Sequence, residues 1–262
     1  MKKFTAKYIA FALPLLFLPL LSPIPTAHAQ ADDLIYESKA NPRPFRGKAR
    51  LVTLKRDSKL LHVTTVYPQF LHNTRLTRFA NRTIRGGART NFNDFVKSFA
   101  ADQKEGIVRK ELPYEYSELP FLTYYLPSRI ISTSIFSGQY RGGAHGMEGT
   151  YTTNFGFLKG MRAPKVLTLG NLFNGTTYRK EVEQKLFDKF RADMRGVPTF
   201  VKDGSVKSLT SSQLNNFTIS SKGLTWYFPA YQLGPYAEGQ PEYTLSPNEL
   251  GPNFKRAAVL GK

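Results

Sequence analysis

The chain has 262 residues and a formal net charge of +18, from 37 lysines and arginines against 19 acids, and it contains no cysteine. Without cysteine there are no disulfide frameworks, thiolate zinc sites or thiol nucleophiles, so stability has to come from an ordinary hydrophobic core. The positive balance either favours anionic partners or serves solubility.

Met1-Lys2-Lys3, an apolar run from Tyr8 to Leu21 and then Ala27-His28-Ala29 have the layout of a secretory signal peptide, with cleavage expected after Ala29. Prolines at 14, 19, 23 and 25 argue against a retained span. Removal of residues 1–29 leaves 233 residues and a net charge of +15. The expected location is secreted or periplasmic, with no membrane span once the leader is gone.

Residues 30–48, with Asn41-Pro42-Arg43-Pro44, read as a flexible arm. An N-terminal α+β subdomain is expected over 49–127 and a C-terminal one over 128–262. Leu51–Leu54 and Leu61–Tyr67 read as paired strands, with Pro68 ending the second. A helix over about 74–99 follows, with Leu76, Ala80, Thr83, Ile84, Gly87, Phe92, Phe95 and Phe99 on its apolar arc. Arg75, Arg78, Arg82, Arg85 and Arg89 recur at spacings of three and four on another arc. This stripe reads either as a solvated face or as a docking surface for carboxylates or phosphates, which suit the planar guanidinium.

Residues 111–127, broken by Pro113, Pro120 and Pro127, read as an irregular connection holding at most short strands. Strand-like runs then flank Arg141-Gly142-Gly143-Ala144-His145-Gly146, which is expected to form a hairpin tip. A second helix over about 177–195 presents Tyr178, Val182, Leu186, Phe190 and Met194 to the core. Phe217–Ser220 and Leu224–Phe228 read as a hairpin, and Tyr243–Ser246 as an edge strand. The expected class is α+β, an antiparallel sheet built from hairpins with two main helices packed on it.

Catalytic signatures are missing. The three histidines beyond the leader, His62, His72 and His145, lack the spacing of a metal site, and neither serine-hydrolase nor phosphate-loop motifs occur. Neither a metal nor a cofactor is therefore expected. Glu111, Glu115 and Glu118 are close in sequence, which keeps open a glycan hydrolase using carboxylates near His145. His145 itself reads equally as a pin for its loop or as a contact for a partner.

Gly142-Gly143-Ala144-His145-Gly146, Leu167-Thr168-Leu169-Gly170-Asn171-Leu172-Phe173, Phe217-Thr218-Ile219 and Pro235-Tyr236-Ala237-Glu238-Gly239 resemble a bacterial extracytoplasmic domain. That domain is shared by the lysozyme-sensing anti-sigma factor RsiV and the peptidoglycan deacetylase PdaC. The strands ending at Tyr67-Pro68-Gln69-Phe70, with the helix after them, resemble its usual N-terminal partner domain. The resemblance implies a non-catalytic α+β module outside the membrane. It also brings lysozyme into view as a partner, although two basic surfaces repel over a Debye length of about 8 Å.

The chain is therefore expected to be an exported binding protein of the cell envelope. Its expected partners are a cell-wall glycan, an anionic envelope polymer or an extracytoplasmic protein such as a lysozyme-type muramidase, with no specific nucleic acid. The candidate binding residues are Arg141, Gly142, Gly143, His145 and Gly146 at the hairpin tip, and Arg75, Arg78, Arg82, Arg85 and Arg89 on the helix. The alternative is a peptidoglycan hydrolase.

Overall fold

The computed structural model describes residues 34–37 and 45–261. The leader at 1–29 and most of the arm lie outside the described residues. Seven strands make one sheet in chain order: β1 (Leu34–Glu37), β2 (Ala49–Ser58), β3 (Leu61–Phe70), β4 (Tyr114–Leu126), β5 (Ile130–Tyr140), β6 (Met147–Gly156) and β7 (Lys165–Val166). β1 falls within the stretch expected as a flexible arm and pairs antiparallel with β2.

The α+β class holds, but one pairing departs from the expected hairpins. β3 and β4 run parallel, Leu61 opposite Tyr114 through Thr65 opposite Glu118. They are joined across α1 (Arg75–Lys104), the long crossover that parallel strands require. The stretch at 111–127 is accordingly no irregular connection, because β4 alone spans 13 of its residues.

Its prolines misled for a physical reason. β3 pairs with β4 only as far as Thr65 and Glu118, and Pro68 and Pro120 sit just beyond that limit. There each strand has a single neighbour, so the missing N–H need not leave a gap in a ladder. β3 continues through Pro68 to Phe70 instead of ending at it.

Thr74 caps α1 with a reciprocal pair: its hydroxyl accepts from the Thr77 amide at 3.1 Å, and its own amide donates to the Thr77 hydroxyl at 2.9 Å. Phe92, Phe95 and Phe99 pack on Val52, Leu54, Val63 and Tyr114 of the sheet. Leu76 and Ala80 pack on Leu51, Ile131 and Phe155. Thr83 and Gly87, expected in the core, are exposed, and Ala88 is buried instead. The sheet falls away under that turn and leaves a cavity whose rim they form.

The other face of the sheet carries a C-terminal layer. It holds α2 (Tyr178–Arg191), α3 (Thr199–Lys202), α4 (Ser211–Asn215), α5 (Arg256–Leu260) and a three-stranded sheet of β8 (Phe217–Ser220), β9 (Gly223–Tyr227) and β10 (Glu242–Leu245), in the order β10–β9–β8. Trp226 and Phe228 are wholly buried with Phe190 and Phe217. Met194, expected on the core face of α2, is fully exposed, because the helix stops at Arg191 and the chain turns so that Asp193 meets Arg195 and Tyr243.

β8 is one edge of its sheet, and the large sheet satisfies that edge with side chains. Ser132 Oγ accepts from the Ile219 amide at 2.8 Å, and Asn154 Nδ2 donates to the Phe217 carbonyl at 2.7 Å. These buried polar residues of β5 and β6 thus replace the missing strand and fix how the layers meet.

Candidate functional site

The loop between β5 and β6 is a hairpin tip covering 141–146, with Gln139 opposite Met147. Gly142 has φ +74°, a left-handed conformation that glycine adopts without strain. At Gly146 a Cβ would lie 3.1 Å from the Gln139 carbonyl oxygen, so the strand end closes on a residue without a side chain.

The tip is held at both ends. Arg141 lies over the Phe95 ring of α1, 5.0 Å from its centroid. His145 stacks on Tyr236 of the C-terminal layer, with centroids 4.2 Å apart and rings inclined by 27°. Its Nδ1–H donates to the Gly146 carbonyl at 2.8 Å, which turns Nε2 towards the Tyr231 hydroxyl at 3.5 Å. Tyr231 is the non-glycine residue with positive φ, +68°, among the described residues, and its ring is exposed. Strained backbone beside an exposed aromatic cluster is the kind of feature found at contact sites.

The arginine stripe lies elsewhere, and the structure does not bring it together with the hairpin tip. Arg75 sits over the Phe157 ring at 5.0 Å and donates to the Arg162 carbonyl at 3.3 Å. Arg78 donates to the side chain of Asn73 at 2.9 Å. Arg82, Arg85 and Arg89 are exposed and make no hydrogen bond or ion pair among the described residues. Arg78, Arg82 and Arg85 line a cleft of about 340 Å³ with Tyr67 and Gln69 of β3. Asn81 holds the helix against that strand by bonding both the amide and the carbonyl of Phe70, at 2.8 and 3.0 Å.

A second cleft, of about 460 Å³, borders the tip at Gly146 and is lined by His62, Glu115, Ser117 and Glu148. His62 is hydrogen-bonded through Nδ1 to Asp57. His145 does not line this cleft; it is turned to Tyr236. Among the described residues no group of three or more histidine and acidic side chains is placed to hold a metal ion.

Glu118, the third acid of that run, was not expected to be buried. It points to the α1 side of the sheet, is 2% exposed, and accepts from Asn91 Nδ2 at 2.8 Å and from the Tyr116 hydroxyl at 2.7 Å. Burial, and after it the Glu118 carboxyl, push the Tyr116 phenol far above its usual range, so it stays a donor. The signal for this site lay in the alternation Tyr114, Tyr116, Glu118, which puts an acid on an apolar strand face.

Residues 54–148 match the family described as deacetylase PdaC, and residues 170–247 match the family described as a protein of unknown function, DUF3298. A solved DUF3298-family structure from Bacteroides fragilis is similar over 82% of this chain and 98% of its own, with 18% identity and a TM-score of 0.53. Another from Pseudomonas aeruginosa is similar over 78% and 94%, with 18% identity and a TM-score of 0.52. A comparison with curated proteins finds no match. Among the described residues no helix is long and apolar enough to cross a membrane. By both family matches and by fold, the chain resembles the combination of a PdaC-type region followed by a DUF3298 domain.

Proposed function

We propose that the protein is an exported, non-catalytic binding module of the cell envelope, and that the arginine face of α1 takes an anionic envelope polymer. The observation that carries this reading is the charge pattern of that helix. Five arginines occur between residues 75 and 89, and the first acid of the helix is Asp94. A face shaped for solubility would intersperse both signs and use i,i+4 pairs. Arg75 and Arg78 also stand in the first turn, which holds no acid and where the helix dipole favours negative charge, so an anionic ligand reaching them would relieve both terms. The guanidinium groups of Arg82 and Arg85, without partners among the described residues, stand at one cleft and suit bidentate contact with phosphate or carboxylate.

Pelleting of the purified protein with isolated cell-envelope material tests the reading, before and after extraction of its phosphate-bearing polymers. Binding should depend on those polymers and be lost in an Arg82→Glu, Arg85→Glu double variant. Equal pelleting of both proteins would contradict it. Pelleting that survives polymer extraction but is competed by a lysozyme-type muramidase would instead favour the protein partner.

One observation favours a second reading, a peptidoglycan hydrolase: Glu115 and Glu148 line one cleft beside Gly146. Both carboxylates are exposed, without the apolar enclosure in which a glycosidase holds its general acid. New reducing ends released from peptidoglycan by the native protein, and not by Glu115→Gln, would establish that reading.

A further inference from the structure

Where the ladder between β3 and β4 stops, past Thr65 and Glu118, a cavity of about 500 Å³ opens beneath α1. That volume falls in the range of small-ligand sites. It lies on the flank of α1 carrying Thr83, Gly87 and Asn91, whereas Arg78, Arg82 and Arg85 line the other flank. Thr83, Gly87 and Tyr151 are exposed and form its rim. Ile84, Ile135 and Phe155 supply apolar wall, and Glu118 closes the floor.

The Glu118 carboxyl is only half satisfied. Asn91 and Tyr116 both donate to Oε1, while Oε2 is buried with no partner among the described residues. A buried acceptor left without a donor is costly, and it rewards whatever supplies one. Among the described residues the cavity lining contains no lysine, arginine or histidine, in a chain of net charge +18. The described cations thus stand away from this carboxyl, while Gly87 keeps the helix thin at the mouth: a Cβ there would meet nothing within 4 Å.

We propose that this cavity is a binding site for an amphipathic organic cation, its ammonium group on Glu118 Oε2 and its apolar body along Ile84, Ile135 and Phe155. The site is independent of the arginine face, so either can fail without the other.

Isothermal titration of the full protein with three probes sharing one alkyl chain, n-octylammonium, 1-octanol and octanoate, tests this directly. Octylammonium should bind best, the alcohol more weakly and the carboxylate not measurably. Glu118→Gln should weaken octylammonium at least about tenfold, the worth of a charge-assisted hydrogen bond, and bring it level with the alcohol. Gly87→Leu should abolish binding of both octylammonium and the alcohol by filling the mouth. Because that substitution lies on an exposed helical turn with open space, it serves if Glu118→Gln fails to fold. Octylammonium binding no tighter than the alcohol, unchanged in Glu118→Gln, or retained in Gly87→Leu would overturn the proposal.

Discussion

The ring of His145 lies on the ring of Tyr236, 4.2 Å between centroids, so the β5–β6 hairpin tip is fastened to the C-terminal layer across 90 residues of intervening chain. Because the hairpin belongs to the large sheet and Tyr236 to the layer packed on it, this contact reports on how the two layers are held at their open end. His145→Ala should lower unfolding free energy by about 1 kcal/mol, the scale of an exposed aromatic pair, measured by urea denaturation. Amide exchange in the 229–240 turn should quicken, while a His145→Phe variant keeps both near native. No change in exchange would mean that the stack pins nothing.

Acid sensitivity should concentrate in the C-terminal layer. The Arg195 guanidinium, and after it the Tyr243 hydroxyl at 2.7 Å, hold the Asp193 carboxyl well below the usual carboxylate range against its burial. Lys189 at 2.7 Å, then Ser246, hold Glu249 at about 2. Both folded values lie below those of the unfolded chain, so both groups stabilise the fold at neutral pH; the Glu249 contribution is lost as pH falls from about 4.5 through about 2, and that of Asp193 as pH falls from about 3.8 to lower values still. An Asp193→Asn, Glu249→Gln double variant should be less stable than the native protein at pH 7, with the gap narrowing as pH falls towards 2 and closing only below it. Parallel pH profiles of the urea midpoint would contradict this assignment.

Two glycines should respond in opposite directions. Gly223 has φ +125°, and a Cβ there would stand 2.1 Å from the Leu245 carbonyl oxygen of β10. Gly223→Ala should therefore cost about 3 kcal/mol or more, since neither the backbone nor its neighbour can give way. Gly86, in the open middle of α1, meets nothing within 4 Å. Gly86→Ala should stabilise by about 0.5–1 kcal/mol. Thermal unfolding of the two variants decides both.

What could be read from the residues follows the range of the forces involved. α1 was legible because its arginines and phenylalanines separate at helical spacing, and the hairpin tip because Gly142, Gly143 and Gly146 dictate a local turn. β4 was not, since Pro113 and Pro120 are breakers in any local reading; only the end of the β3 pairing at Glu118 makes Pro120 harmless, and that is a tertiary fact. The same misreading hid Glu118, whose alternation with Tyr114 and Tyr116 has meaning only on a strand. Met194 failed for a comparable reason: apolar periodicity runs past Arg191, but the ion pair of Asp193 with Arg195 draws the chain away from the helix axis. Among the proposed site residues, the residues show that five arginines share a face, yet not that Arg75 and Arg78 are occupied while Arg82, Arg85 and Arg89 are free of partners among the described residues.

The anion-binding face is tested most directly by the affinity of the purified protein for a soluble phosphate-bearing envelope polymer, measured across a range of salt concentrations. The native protein should lose affinity steeply as salt rises, and Arg82→Glu, Arg85→Glu should bind weakly with a much shallower dependence. Equal affinity and equal salt dependence in the two proteins would contradict the assignment of that face as the binding surface.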